Sequence, residues 1–178
     1  MLTRTDPGPP TRIYVTVQDT GSGLASIVVT QHVNSNVTWP PFTVGTTSPV
    51  VVTGTKINQN QSSTVALRVT DRAGNITTCD PVLSTLKISK ASGRKGRARE
   101  THTGLPWAES KVQLVNGSPG VRSVRLIVNG KSFRTVRLAA GAESKLDVTR
   151  AMKPGSANRI TVIAHGRRGS SVLVVISD

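Results

Sequence analysis

The chain has 178 residues, a net charge of +14, 36% hydrophobic residues and only 3% aromatic ones. That length fits one large or two small domains, and so few aromatics leave Val, Ile and Leu to build the core. A single cysteine, Cys79, excludes an intrachain disulfide, no apolar run approaches the ~20 residues of a membrane helix, and the opening MLTRTDPGPPTR has no apolar signal-peptide core.

The charge is uneven. Residues 1–85 carry +1, residues 86–107 carry +5 and residues 108–178 carry +8. A basic second half points to a polyanionic partner, whether nucleic acid, anionic polysaccharide or an acidic surface. The plainer reading is that Arg and Lys keep strand edges soluble.

In chain order, Asp6-Pro7-Gly8-Pro9-Pro10 is an extended, Pro-rich lead. Ile13, Val15 and Val17 alternate with polar neighbours, the period of a half-buried strand. Asp19-Thr20-Gly21-Ser22-Gly23 is a turn, and Leu24 to Val33 a second strand. Val37 to Trp39, Phe42 to Val44 and Pro49 to Thr53 are short strands, and Lys56 to Ser63 a polar loop. Thr64 to Cys79 is a hairpin, with Asp71 and Gly74 supplying the turn chemistry. Cys79 is expected to be buried near a strand end. Short strands at such spacing indicate an all-β sandwich.

Two motifs carry a resemblance. Asp19-Thr-Gly-Ser-Gly-Leu24, followed by Val69-Thr-Asp-Arg-Ala-Gly-Asn75, resembles bacterial Ig-like modules over about residues 11–84. The resemblance implies an immunoglobulin-like sandwich. It also implies a role as spacer or adhesive unit in cell-surface, secreted or phage virion proteins.

Residues 84–107 have no hydrophobic period and a basic run, Lys90, Arg94, Lys95, Arg97 and Arg99. Residues 89–107 are therefore expected to be a flexible basic linker, with Trp107 anchoring the next module. Beyond it, strands are predicted at Lys111–Val115, Val121–Val128, Lys131–Leu138, Leu146–Val148, Arg159–Ala164 and Ser171–Ile176. Asn129-Gly130 is the strongest hairpin signal. Val-Asn-Gly-Lys, Leu-Asp-Val-Thr and Pro-Gly-Ser-Ala-Asn-Arg-Ile-Thr-Val are similar to Ig-like or jelly-roll accessory modules. The expected architecture is all-β: two small Ig-like β-sandwich domains in tandem, at 11–88 and 108–178, after a lead at 1–10.

A two-residue turn at Asn129-Gly130 would set Leu126 against Phe133 and Arg125 against Arg134. Like charges so placed repel unless an anion lies between them. Arg122, Arg125, Arg134 and Arg137 are therefore the candidate anion face, since Arg forks suit carboxylate, sulfate and phosphate. The linker cations, Lys90, Arg94, Lys95, Arg97 and Arg99, are a second candidate, able to track a polyanion by counterion release. No aromatic interleaves them, and no nucleic-acid-binding signature is present, so specific nucleic-acid recognition is not expected. Trp39 and Phe42 are the candidate aromatic contact, for a sugar ring or a protein partner, or else a plug for the end of a small core.

Asp19, Asp71, Asn75 and Asp80 are oxygen donors of the kind calcium takes, but turns ask for the same residues, and no metal is assigned. His32, His102 and His165 have no ligand spacing. Ser22 lacks a nucleophile elbow, and Cys79 has no neighbour that would activate it. No cofactor is expected and no catalytic residue is assigned. The expected function is a non-catalytic structural or adhesive module of a cell-surface or extracellular assembly, self-associating or touching another surface protein. A phage virion or particle decoration protein and a carbohydrate-binding accessory domain are the alternatives.

Overall fold

The computed structural model describes residues 2–89, 96–105, 111–153 and 157–177. It is all-β and divides into two compact units, Met1–Val82 and Leu83–Ile176.

The first unit contains β1 (Leu2–Asp6), β2 (Arg12–Val17), β3 (Leu24–Val33), β4 (Ser35–Thr38), β5 (Val50–Lys56), β6 (Ser63–Asp71) and β7 (Ile76–Cys79). One sheet has the order β1-β2-β5-β4, and β3-β6-β7 form the other. All of these pairings are antiparallel. Lettered A to G, the strands form sheets A-B-E-D and C-F-G, the order of a constant-type immunoglobulin sandwich. The alternation read from sequence fills the interior. Ile13, Val15 and Val17 of β2, Val50 and Val52 of β5, and Val65, Leu67 and Val69 of β6 are all buried. Gly54 of β5 sits against side chains of both sheets. A Cβ there would stand 2.9 Å from Ile13 Cγ2 and 3.0 Å from Val65 Cγ2.

Two expectations for this unit need correction. The Pro-rich lead contains a strand, β1, which pairs with β2 and sets Arg4 over the Tyr14 ring at 4.7 Å. Leu2-Thr-Arg-Thr-Asp has too few apolar residues for a period to show, and its order comes from the ladder. Conversely, Phe42–Val44 is not a strand, because the chain runs from β4 through a loop to the single bridge at Thr46. The late hairpin forms as read, and Cys79 is buried.

The two quoted motifs meet. Leu24 pairs with Asp71, and the Arg72 N–H donates to the Gly23 carbonyl at 2.9 Å. Asp19 holds its own turn, accepting the Gly23 N–H at 2.6 Å and the Ser22 hydroxyl at 3.1 Å. Gly23 has φ +82, and a Cβ there would run into the Gly45 carbonyl. Asp71 accepts the Asn75 N–H at 2.8 Å, and hydrogen bonds from Asn75 hold its carboxyl below the usual value. The motif residues are thus occupied with turn geometry.

The second unit contains β8 (Val82–Lys87), β9 (Gly96–Leu105), β10 (Lys111–Asn116), β11 (Ser123–Val128), β12 (Lys131–Arg137), β13 (Glu143–Asp147), β14 (Asn158–Gly166) and β15 (Ser171–Ser177). Its sheets run β13-β10-β15-β8 and β12-β11-β14-β9. The neighbours nest: β11 with β12, β10 with β13, β9 with β14, and β8 with β15. A long hairpin rolled up across two sheets has this pattern, which is the eight-stranded jelly roll. Val112, Leu114, Leu146, Val172 and Val174 face Val124, Leu126, Ile160 and Val162 in its core.

The expected flexible linker at 89–107 is corrected here. Residues 96–105 form β9, paired along its length with β14, and β8 and β9 belong to the second unit. The run Arg97-Ala-Arg-Glu-Thr-His-Thr103 does alternate. Its inward members, Ala98, Glu100 and His102, are small or polar, so a hydropathy reading cannot see the strand. Lys90, Arg94, Lys95 and Trp107 lie outside the described residues.

Candidate basic face of the second unit

The sheet β12-β11-β14-β9 turns Val124, Leu126, Ile160, Val162 and Ala164 inward, and the residues between them form its outer face. Register sets that face in rows. One row runs Arg137, Ser123, His165, Arg97, and the next runs Thr135, Arg125, Ile163, Arg99. A third runs Ser132, Ile127, Thr161, Thr101. Arg97, Arg99, Arg125 and Arg137 are exposed, and none of these rows holds an acidic residue. With strands about 4.8 Å apart and alternate residues about 6.8 Å apart, the four Cα positions span roughly 14 Å by 7 Å. The structure thus brings two of the four candidate face residues, Arg125 and Arg137, and the two described linker cations, Arg97 and Arg99, onto one surface.

The hairpin register differs from the one expected. Asn129 (φ 51) and Gly130 (φ 84) form the two-residue turn, with Val128 opposite Lys131. A bulge then falls between Leu126 and Ile127, so Leu126 pairs with Arg134 and Arg125 with Thr135. Phe133 is the extra residue and is 39% exposed, not packed on Leu126 as its pair. Arg134 therefore shares the row of Leu126 and not that of Arg125. Arg125 and Arg134 are thus not opposite each other. In its place the Arg125 Nε donates to Ser132 Oγ at 3.1 Å, which orients the guanidinium along the outer face.

Arg122 stands just before β11 and belongs to a cleft of about 510 Å³ at that end of the unit. Three loops converge there: 117–122, 138–142 and 167–170. The lining includes Arg122, Arg167, Arg168, His165, Pro119 and Leu138, without an acidic residue. Asn116, buried below, ties two of these loops together. Its Oδ1 accepts the Val121 N–H at 2.7 Å, and its Nδ2 donates to the carbonyls of Val121 and Ala139 at 2.9 Å each. At the other end of β11 a smaller hollow of about 390 Å³ is lined by Lys131, Phe133, Arg150 and Lys153.

One cluster was not foreseen. Ser84 of β8 and His102 of β9 reach toward each other across the interior, with Ser84 Oγ 2.7 Å from His102 Nε2. Glu100 Oε1 lies 3.9 Å from the same nitrogen. Burial holds the His102 imidazole below its usual value, with Glu100 opposing. A Ser-His-acid set that works by acyl transfer needs the carboxylate on the other imidazole nitrogen and an accessible hydroxyl. Here the acid approaches Nε2, and Ser84 is fully buried. The cluster clips one sheet to the other.

Trp39 and Phe42 are both in the loop after β4, and each is partly buried. Among the described residues no three His, Cys, Asp or Glu side chains gather in a metal-binding arrangement. None of their helices is long and apolar enough to cross a membrane.

No protein-family model and no curated protein matches the chain. Two solved structures are similar. One is the secreted serine protease VesC from Vibrio cholerae, at 13% identity and a TM-score of 0.35; the match covers 95% of this chain and 48% of that one, so this chain spans about half of its length. The other comes from work on the promiscuous specificity of carbohydrate-binding modules of the beta-sandwich super family. It is 11% identical with a TM-score of 0.32, covering 98% of this chain and 94% of that one. At such scores neither assigns a function, and what stands is the all-β, β-sandwich architecture read from the strand order.

Proposed function

We propose that the chain is a non-catalytic binding module of an extracellular or cell-surface assembly, whose second unit attaches to an anionic polysaccharide through the outer face of β12-β11-β14-β9. The observation that carries this reading is the placing of Arg97, Arg99, Arg125 and Arg137 on one sheet face free of carboxylates in the rows described above. Edge protection accounts for basic residues on β9 and β12, which bound that sheet. It does not account for Arg125, which lies on an interior strand. Between its cations the face offers Ile127 and Thr135, and the rows described above hold no Phe, Tyr or Trp on which a base would stack, which favours a sugar polymer over single-stranded nucleic acid. The immunoglobulin-like first unit serves as the spacer in this reading.

The test is binding of the whole chain to a sulfated polysaccharide, a neutral glycan and duplex DNA over a range of salt. Wild type is compared with the Arg97→Ala/Arg99→Ala double variant. The sulfated polymer is expected to bind with a steep salt dependence. Each lost contact should reduce the log–log slope by somewhat under about one unit, by analogy with phosphate contacts. An unchanged slope in the double variant, or no binding at low salt, refutes the face. Equal or tighter binding of DNA refutes the polysaccharide.

A further inference from the structure

The cleft at the start of β11 has features that the flat face lacks. We propose that it is a distinct site for the anionic end group of a saccharide, taking a carboxylate or sulfate on its arginines and the sugar ring on Pro119 and Leu138. The proposal rests on the polysaccharide reading, since it gives that polymer's terminus a place to go. Its volume, about 510 Å³, lies within the roughly 300–1,000 Å³ of small-ligand clefts.

Charge argues for an anion. Arg122, Arg167 and Arg168 are exposed at the rim, and the lining offers no carboxylate to neutralise them. Construction argues for a site and not an accidental hollow, because all three loops are tied down. The Asn116 side chain fastens loop 117–122 to loop 138–142. The Arg122 N–H donates to the His165 carbonyl at 2.7 Å, and the Ser171 N–H to the Pro119 carbonyl at 3.1 Å. The Ser170 N–H closes the 167–170 turn onto the Arg167 carbonyl at 3.0 Å, and Gly169 supplies its positive φ of 84. Gly120 lets loop 117–122 pass over Asn116, because a Cβ there would meet Asn116 Cγ at 2.7 Å. A floor fixed this way does not have to be ordered on binding, which lowers the cost of taking a small ligand.

Position argues for an end group. His165 lines the cleft and also stands in the row Arg137, Ser123, His165, Arg97 of the outer face. A polymer lying across that face therefore meets the cleft where the sheet stops. The mixed lining fits a sugar, whose ring has apolar faces and whose substituent carries the charge.

The experiment is calorimetric titration of the whole chain with glucuronate, glucose 6-sulfate, glucose and inorganic sulfate. Three proteins are compared: wild type, Arg167→Ala/Arg168→Ala in the cleft, and Arg97→Ala/Arg99→Ala on the face. All four positions are exposed, so both variants are expected to fold. Glucuronate or glucose 6-sulfate should bind wild type, glucose should not, and the cleft variant should bind about tenfold or more weakly, as expected for lost charge-assisted hydrogen bonds. The face variant should bind the monosaccharides as wild type does. Monosaccharide binding that survives the cleft substitutions, or is absent from wild type, overturns the cleft. Inorganic sulfate binding as tightly as glucose 6-sulfate overturns the sugar part of the proposal. The long polymer's response to the face variant decides the face separately, so the two readings fail independently.

Discussion

Asn116 is a residue whose loss the second unit should tolerate poorly. It is 3% exposed and makes four hydrogen bonds: one accepted from the Val121 N–H at 2.7 Å, and three donated, to Val121 and Ala139 at 2.9 Å and to Leu138 at 3.3 Å. Asn116→Ala strands both backbone groups of buried Val121. Each buried group left without a partner costs about 1–3 kcal/mol, so the expected loss is about 3–5 kcal/mol once the small cavity is included. For a unit of this size a loss of that order lowers the melting temperature by about 12 °C or more. Asn116→Asp sharpens the test. The acceptor to Val121 survives, but a carboxylate replaces the amide that faces three carbonyls. Asp should therefore be at least as damaging as Ala at neutral pH. Part of its deficit should return as the pH falls toward about 4 and the carboxyl gains a proton to donate. The assay is denaturant unfolding of the full chain, following the second transition if two appear. A loss below about 1 kcal/mol for Ala, or an Asp variant without acid recovery, would refute the view that this side chain holds the loops.

His102 gives a pH prediction. Burial lowers its folded value below about 6.5, its ordinary one. The unfolded state therefore binds the proton first, and this group's contribution is complete above about pH 6.5 and lost as the pH falls through the lower folded value. His102→Gln should flatten unfolding stability between about pH 7 and pH 5, and an unaltered slope would count against the buried clip. Gly23→Ala and Gly74→Ala separate strain from collision. Both have positive φ, but a Cβ at Gly74 meets nothing within 4 Å, whereas one at Gly23 meets the Gly45 backbone. Gly74→Ala should cost about 1 kcal/mol and Gly23→Ala about 3 or more, and equal losses in thermal melts would refute the distinction. Cys79, 1% exposed, should react with a thiol reagent only as fast as the first unit opens. Rapid labelling of folded protein would contradict its place in the core.

The local signals in this chain were legible because they act over a few residues. Val65, Leu67 and Val69 alternate, Gly74 turns, and Asn129-Gly130 closes a two-residue loop; each is dictated by backbone sterics and by which face must leave water. The all-β class and the basic second half followed from the same reading. Pairing among distant strands is decided by energy that no short window contains. β9 shows no hydropathy period because its inward residues are Ala98, Glu100 and His102, and it is a strand because β14 supplies its hydrogen bonds. The Phe133 bulge moved Arg125 away from Arg134, since the strand had to satisfy both the turn and the inward positions of Val124 and Leu126. The nested pairing then set Arg97 and Arg99 on one face with Arg125 and Arg137, which follow them by 26 to 40 residues in sequence. Composition determined that this protein would carry a positive surface, and only the tertiary ladder, by fixing register across four strands, decided where that charge gathers.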